Sequence, residues 1–230
     1  MPSYWRLGPS SVSDRETMTS RIHVSTLVLV TAVIWAGLLL LQGVAITPEF
    51  FRPLGTVVGL LVLLLGAFEA YLWRIRWLHP WFVRIPYVGG TWRGVLVSLW
   101  SDPATGQPPP PIEAYVSVSQ TFSSIRIRFL TNESNSSLLS GSISPTSDGS
   151  YEISGVYQNI PRMTVRDRSP IHYGAILLRV IGSPPATLDG EYWTTRGTRG
   201  ELRLDSRVAA RSHDFAEARQ LYQRPQGATS

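Results

Sequence analysis

The sequence predicts a membrane α-helical hairpin followed by an all-β domain, an eight-stranded antiparallel up-and-down β-barrel. Two long apolar runs, 22–46 and 54–73, lie within the first third of the chain. From residue 86 onward the hydrophobic pattern switches to period two between turn signals, which marks strands. No helical stretch separates those strands, so their connections suit hairpins rather than crossovers. The mean hydropathy of +0.03 averages over two unlike parts and hides this division.

The first run, IHVSTLVLVTAVIWAGLLLLQGVAI, has His23 as its sole ionisable group over 25 residues. As a helix it extends roughly 38 Å against a hydrocarbon core of about 30 Å. The second run ends near Glu69. A cleaved signal peptide is excluded by the length of the first run, the second run close behind it and the lack of a small-residue cleavage site. Arg6, Arg15 and Arg21 precede the hairpin and Arg74, Arg76 and Arg84 follow it, which places both termini in the cytoplasm. Trp73, Trp77, Trp81 and Tyr71 form an expected aromatic belt, and Gly55, Gly59 and Gly66 form a stripe for close helix packing. For Glu69 a snorkelling acid competes with a pore-lining or partner-pairing one. The segments are therefore 1–21 (cytoplasmic), 22–73 (hairpin), 74–85 (juxtamembrane linker), 86–207 (barrel) and 208–230 (tail).

Strands are expected at 91–100, 113–120, 124–131, 135–144, 151–159, 172–181, 187–196 and 198–205. The clearest alternation is Ile125, Ile127 and Phe129 against Arg126 and Arg128. Eight strands close into a barrel just wide enough to be filled or to hold one small ligand, with a two-sheet sandwich as the alternative. In the tail, Ser212 is the expected N-cap of a short helix carrying Phe215, Ala218, Leu221 and Tyr222, stopped by Pro225.

Strand parity locates a site. Loops 101–112, 132–135 and 160–171 and the turn at Gly197 share one rim, the mouth; the turns near Phe122, Asp148 and Pro184 share the other, the base. The first strand starts at the base, straight after the hairpin, so the mouth points to the cytosol. Its turns carry Arg162, Arg166, Arg168, Arg196 and Arg199 against Asp102, Glu133 and Asp167. The inward faces of four strands lead there to Thr131, Asn159, His172 and Arg196. Apolar walls, convergent polar groups and arginine forks suit a polar, anionic small ligand. Gln120 belongs to the base and to the structure.

Composition narrows the function. All 21 basic residues are Arg, so mechanisms that need a lysine are excluded, and the absence of Cys removes disulfides and thiolate chemistry. His23, His79, His172 and His213 are scattered, and no nucleophile elbow or dinucleotide fingerprint occurs, so neither catalysis nor a cofactor is expected. The net charge of +5 comes without a basic stripe interleaved with aromatics, which argues against polymeric nucleic acid. A membrane-tethered carrier of a lipid or other small apolar ligand, and a scaffold using the 108–111 proline run, are the competing readings.

Several motifs carry a family resemblance over 22–205: G-T-W-R-G at 90–94, Q-T-F-S-S-I at 120–125, T-N-E-S-N-S-S at 131–137, Y-Q-N-I-P at 157–161, H-Y-G at 172–174 and G-E-Y-W-T-T-R-G-T-R-G at 190–200. Together with the hairpin they resemble the CD-NTase-associated membrane effectors of bacterial CBASS anti-phage systems, which have two transmembrane helices and a cyclic-nucleotide-binding β-barrel. The resemblance implies a multi-pass protein of the bacterial inner membrane. Its barrel binds a cyclic di- or trinucleotide, and its helices then assemble as a homo-oligomer, disrupt the bilayer and abort infection. By matching position, the ligand-binding residues it implies are Thr131, Ser134, Ser136, Tyr157, Asn159, His172, Tyr192, Arg196 and Thr198. Loop 101–112 and the tail after Asp205 have no counterpart in these motifs.

Overall fold

The computed structural model describes residues 24–41, 52–79, 81–101 and 105–223. The expected segment 1–21, His23, Glu49, Asp102 and Pro225 lie outside them. The chain forms two compact units, 1–65 and 66–230. In the first, α1 spans Val24–Leu41 and α2 begins at Arg52, ending at Ala70 in the second unit. Six consecutive residues of α2, Leu60 to Leu65, are all exposed. Successive helical residues are about 100° apart, so this run presents apolar side chains around the whole circumference. Among the described residues no helix is long and apolar enough to cross a membrane. The 22–46 run extends past the described α1 at both ends.

The second unit is a closed antiparallel barrel whose strands follow sequence order, β1-β2-β3-β4-β5-β6-β7-β8. They are β1 (Gly90–Ser98), β2 (Ile112–Gln120), β3 (Ile125–Leu130), β4 (Ser134–Pro145), β5 (Tyr151–Pro161), β6 (His172–Ile181), β7 (Thr187–Thr194) and β8 (Arg199–Val208). All eight expected strands are present, and closure by β1 on β8 settles barrel against sandwich. The alternation does the folding: β3, β6 and β8 bury every second residue, and closure leaves no unpaired edge. Two irregularities were not legible, one being a register shift of β1 against β8 between Arg93 and Gly94. The β4–β5 register slips between Leu138 and Ser140, so parity on β4 inverts beyond that point.

Trp92, Val116, Val118, Ile153, Leu178, Leu188 and Leu204 fill the interior, all fully buried. The Trp92 indole donates to the Val88 carbonyl at 2.8 Å, which satisfies its one polar atom. Outside the wall, α3 (Phe215–Gln223) covers Tyr115 and Leu130 with Phe215, Ala218 and Tyr222. Its N-cap is Asp214 rather than Ser212: the Asp214 carboxylate accepts from the Glu217 amide at 2.8 Å. Ser212 is instead buried, its hydroxyl 3.2 Å from that of Thr91. Sequence proximity to the helix suggested the cap; β1 had the prior use for Ser212.

At the base, Gln120 is structural as expected, accepting from Val88 N at 2.8 Å and donating to the Pro86 carbonyl at 3.0 Å. Trp73 is fully buried against Tyr87 and Phe122 and has no place in an aromatic belt, whereas Tyr71, Trp77 and Trp81 are exposed. Glu69 has partners that its place in the second apolar run did not reveal. Its carboxylate accepts from Thr121 Oγ1 at 2.6 Å, Ser123 Oγ at 2.6 Å and Ser123 N at 3.0 Å, and its carbonyl accepts from Phe122 N at 3.1 Å. The last turn of α2 is thereby clamped to the β2–β3 turn.

Candidate functional site

Sheet register brings the candidates of three strands side by side at the mouth: Ser136 of β4 faces Asn159 of β5, which faces His172 of β6. Their side chains join. Ser136 Oγ donates to Asn159 Oδ1 at 2.8 Å, Asn159 Nδ2 lies 3.3 Å from His172 Nε2, and His172 Nδ1 lies 2.8 Å from the Pro170 carbonyl. Ser136 and His172 are buried and Asn159 is half-buried, so the group forms a polar layer inside the rim.

The layer beneath is aromatic. Tyr157 is 7% exposed, its ring centroid 5.5 Å from that of Phe129, and its hydroxyl has no hydrogen-bond partner among the described residues. It lies across Gly174 on the next strand, where a Cβ would sit 2.5 Å from the phenolic oxygen. Tyr192 crosses Gly200 in the same way, with a Cβ there 2.9 Å from its ring. A side chain at either glycine would displace the ring above it. Burial raises both phenols above their usual pKa, with repulsion from Tyr192 adding at Tyr157 and the Ser98 hydroxyl partly offsetting it at Tyr192. Both are therefore neutral donors at physiological pH. Ser98 was missed in the sequence, although parity from Trp92 along β1 leads to it.

Thr131, Ser134 and Thr198 have another occupation. The Thr131 and Ser134 hydroxyls are 3.0 Å apart across the β3–β4 turn, and those of Thr194 and Thr198 are 2.6 Å apart across the β7–β8 turn. The base repeats the device with Thr121 and Ser124 at 2.8 Å and Thr146 and Ser150 at 2.6 Å. Hydroxyl pairs that close turns at both rims are features of this barrel, not of its mouth alone.

Arg196 is exposed, donating to Ser169 Oγ at 2.8 Å and to the Arg168 carbonyl at 3.1 Å. Arg168 pairs with Glu133 at 2.5 Å, and Arg166 donates to the Pro161 carbonyl at 3.1 Å. These three arginines therefore lace loop 162–171 to its neighbours. Arg162 and Arg199 are exposed, and their guanidinium groups have no partner among the described residues. Among the described residues the mouth thus holds two free guanidinium groups and a third, that of Arg196, bound to half-buried Ser169 and exposed Arg168, all suited to phosphate oxygens.

Two shallow grooves lie on the outer wall instead. One of about 450 Å³ is lined by Glu152, Asp189, Glu191 and Glu201 with Arg179. The other, about 310 Å³, lies between Arg93, Glu113, Arg203 and Asp205. Neither touches a candidate residue, and the four acids of the larger repel phosphate. Larger volume does not outweigh that charge. Among the described residues no cluster of metal-ligating side chains occurs.

Residues 83–206, more than half of the chain, match the family described as Cap15, cyclic dinucleotide receptor domain. The match takes in the whole mouth and bears out the resemblance to CBASS effectors read from the motifs. No curated protein matches the chain.

Proposed function

The chain belongs to the family of Cap15 cyclic dinucleotide receptor domains, and from that premise we propose that it is a membrane-anchored CBASS effector whose barrel mouth binds a cyclic dinucleotide. The observation that carries the reading is the polar layer Ser136–Asn159–His172 above the aromatic layer Phe129, Tyr157 and Tyr192. A cyclic dinucleotide is two nucleobases on a ring with two phosphates, so it needs stacking faces, base-edge partners and cations in one place. In this reading Tyr157 and Tyr192 stack on or donate to the ligand and Asn159 meets a base edge. Arg162, Arg196 and Arg199 meet the phosphates from the rim. Thr131, Ser134 and Thr198 contribute by holding the turns around it.

The membrane part rests on sequence and exposure. Two apolar runs of spanning length, arginines at the outer ends of both and apolar side chains all around α2 support a hairpin in the inner membrane with both termini and the barrel in the cytoplasm. At Gly55, Gly59 and Gly66 a Cβ would meet nothing within 4 Å, which leaves the stripe open to helices of other copies. The Glu69 clamp is the mechanical link: a ligand that alters the barrel acts on α2 through the β2–β3 turn. Assembly of the helices then breaches the bilayer.

The test is a thermal-shift screen of the full chain in lipid nanodiscs against cyclic di- and trinucleotides and a fatty acid. Stabilisation by a cyclic dinucleotide is expected. A shift with the fatty acid alone would hand the barrel to the apolar-carrier reading.

A further inference from the structure

The hydrogen bonds at the mouth have one consistent direction. A carbonyl only accepts, so His172 Nδ1 must carry the proton that meets Pro170. In the neutral imidazole Nε2 is then an acceptor, and Asn159 must turn its Nδ2 towards it. That sets Oδ1 towards Ser136, whose hydroxyl donates to it. The backbone carbonyl of Pro170 thus fixes the amide of Asn159, two residues away in the chain of bonds.

The amide has capacity left. Asn159 has two N–H bonds and two lone pairs, of which His172 and Ser136 use one each. These partners sit on opposite flanks, on β6 and β4. The N–H and lone pair that remain are the adjacent pair at the tip of the amide, a donor beside an acceptor. Such a fork pairs with a nucleobase edge that carries an acceptor beside a donor, as adenine does with N7 and N6–H. An edge of two acceptors, such as N7 and O6 of guanine, meets only half of it.

Resting on the cyclic dinucleotide reading, we propose that His172 is a positioning residue that sets the donor–acceptor order of Asn159 and through it which base edge the mouth accepts. A protonated imidazole donates from both nitrogens. Asn159 must then present Oδ1 to Nε2, its amide turns over, Ser136 becomes an acceptor, and the order at the tip reverses. A base held by the rim arginines cannot shift to follow. The elements next to His172 carry several charged or titratable groups. They are Arg162, Arg166, Asp167 and Arg168 in the preceding loop, Glu133 in the β3–β4 turn, Arg196 in the β7–β8 turn and the Tyr157 phenol on β5.

The experiment has two arms on the full chain in nanodiscs. In the first, nitrogen-15 NMR of the ligand-free protein follows the His172 ring and the Asn159 side-chain amide as the pH is lowered from about 8 to about 5. The Nδ1–H form at the upper end, with the Asn159 signals moving at the His172 midpoint, is expected. An Nε2–H form, or Asn159 signals that ignore the midpoint, overturns the proposal. In the second arm cyclic di-AMP, cyclic di-GMP and cyclic di-UMP are titrated at both pH values. The tightest of the three is expected to bind about tenfold more weakly at the lower pH, the cost of a mismatched buried pair. In His172→Gln, which has an amide oxygen but no titration, affinity is expected to be independent of pH. The same pH step in that variant refutes the role of His172. Should it not fold, Asn159→Asp replaces it: a carboxylate only accepts, so His172 must carry a proton on Nε2, and a ring signal without one overturns the relay. Absence of binding by all three ligands overturns the binding reading, and the first arm then still decides the relay.

Discussion

Tyr157→Phe separates a binding tyrosine from a packing one, because the two roles predict opposite signs for stability. The hydroxyl is mostly buried, has no partner among the described residues and is not one of the fully buried unpaired atoms, so it keeps slight access to solvent. An unpartnered buried polar group costs about 1–3 kcal/mol, and that access puts this one near the lower end, about 1 kcal/mol. Removing it keeps the ring against Phe129 and above Gly174. The ligand-free variant should therefore be more stable by about 1 kcal/mol, which is roughly 2–4 °C in Tm for a domain of this size. If the hydroxyl serves the ligand, affinity should fall about three- to tenfold, the worth of one hydrogen bond. Tyr222→Phe is the control: its hydroxyl shares its one proton between the carbonyls of Thr91 at 2.7 Å and Ser206 at 2.8 Å, so its loss should lower Tm. Differential scanning fluorimetry with and without cyclic dinucleotide reads all of this. A Tyr157→Phe protein less stable than wild type, with unchanged affinity, would refute the reasoning and return Tyr157 to the core.

Glu69→Ala removes three hydrogen bonds to the β2–β3 turn; it should leave ligand affinity within about twofold and abolish ligand-induced dye leakage from liposomes, and full leakage would rule out the clamp as the link. Gly59→Leu fills the open stripe of α2 and should likewise keep binding and lose leakage, so retained leakage would show that the stripe does not drive assembly. For pH, burial raises the phenols of Tyr157, Tyr192 and Tyr222 above the ordinary 10.0, so the folded state favours their protonated forms. Their contribution to stability is complete below that pH and declines as pH rises beyond it. Tm should fall from about pH 10 upward while absorbance at 295 nm shows a late-titrating set of tyrosines, and complete ionisation near pH 10 with the fold intact would contradict the burial of these side chains.

Strand positions and the two rims were legible because alternation is a local signal, and in an up-and-down barrel parity alone assigns each turn to a rim. Asn159 and His172 were found by following inward faces, and the structure joins them through hydrogen bonds that no spacing reveals. The double use of residues was not legible. Thr131, Ser134 and Thr198 stand in the right motifs, yet their hydroxyls close turns, as Thr146 and Ser150 do at the far end. Arg196 carries the right charge, but its fork is engaged by Arg168 and Ser169 across the rim. Trp73 looked interfacial by its place after an apolar run, whereas Tyr87 and Phe122 claim it for the interior. Ser212 misled because a partner distant in sequence, Thr91, outbid the local role, and Ser123 as a partner of Glu69 is equally distant.

Isothermal titration of cyclic dinucleotides into the wild-type chain, Asn159→Ala and Glu191→Ala tests most directly whether the mouth is the receptor site. Asn159 lies in the polar layer of the mouth and Glu191 in the larger outer groove, so the two variants compare the mouth with the outer wall. One ligand per barrel is expected, with affinity lost in Asn159→Ala by tenfold or more, as about 1.4 kcal/mol of lost pairing implies, and unchanged affinity in Glu191→Ala. Binding that survives Asn159→Ala and disappears in Glu191→Ala would move the site to the outer wall and contradict a receptor site at the mouth.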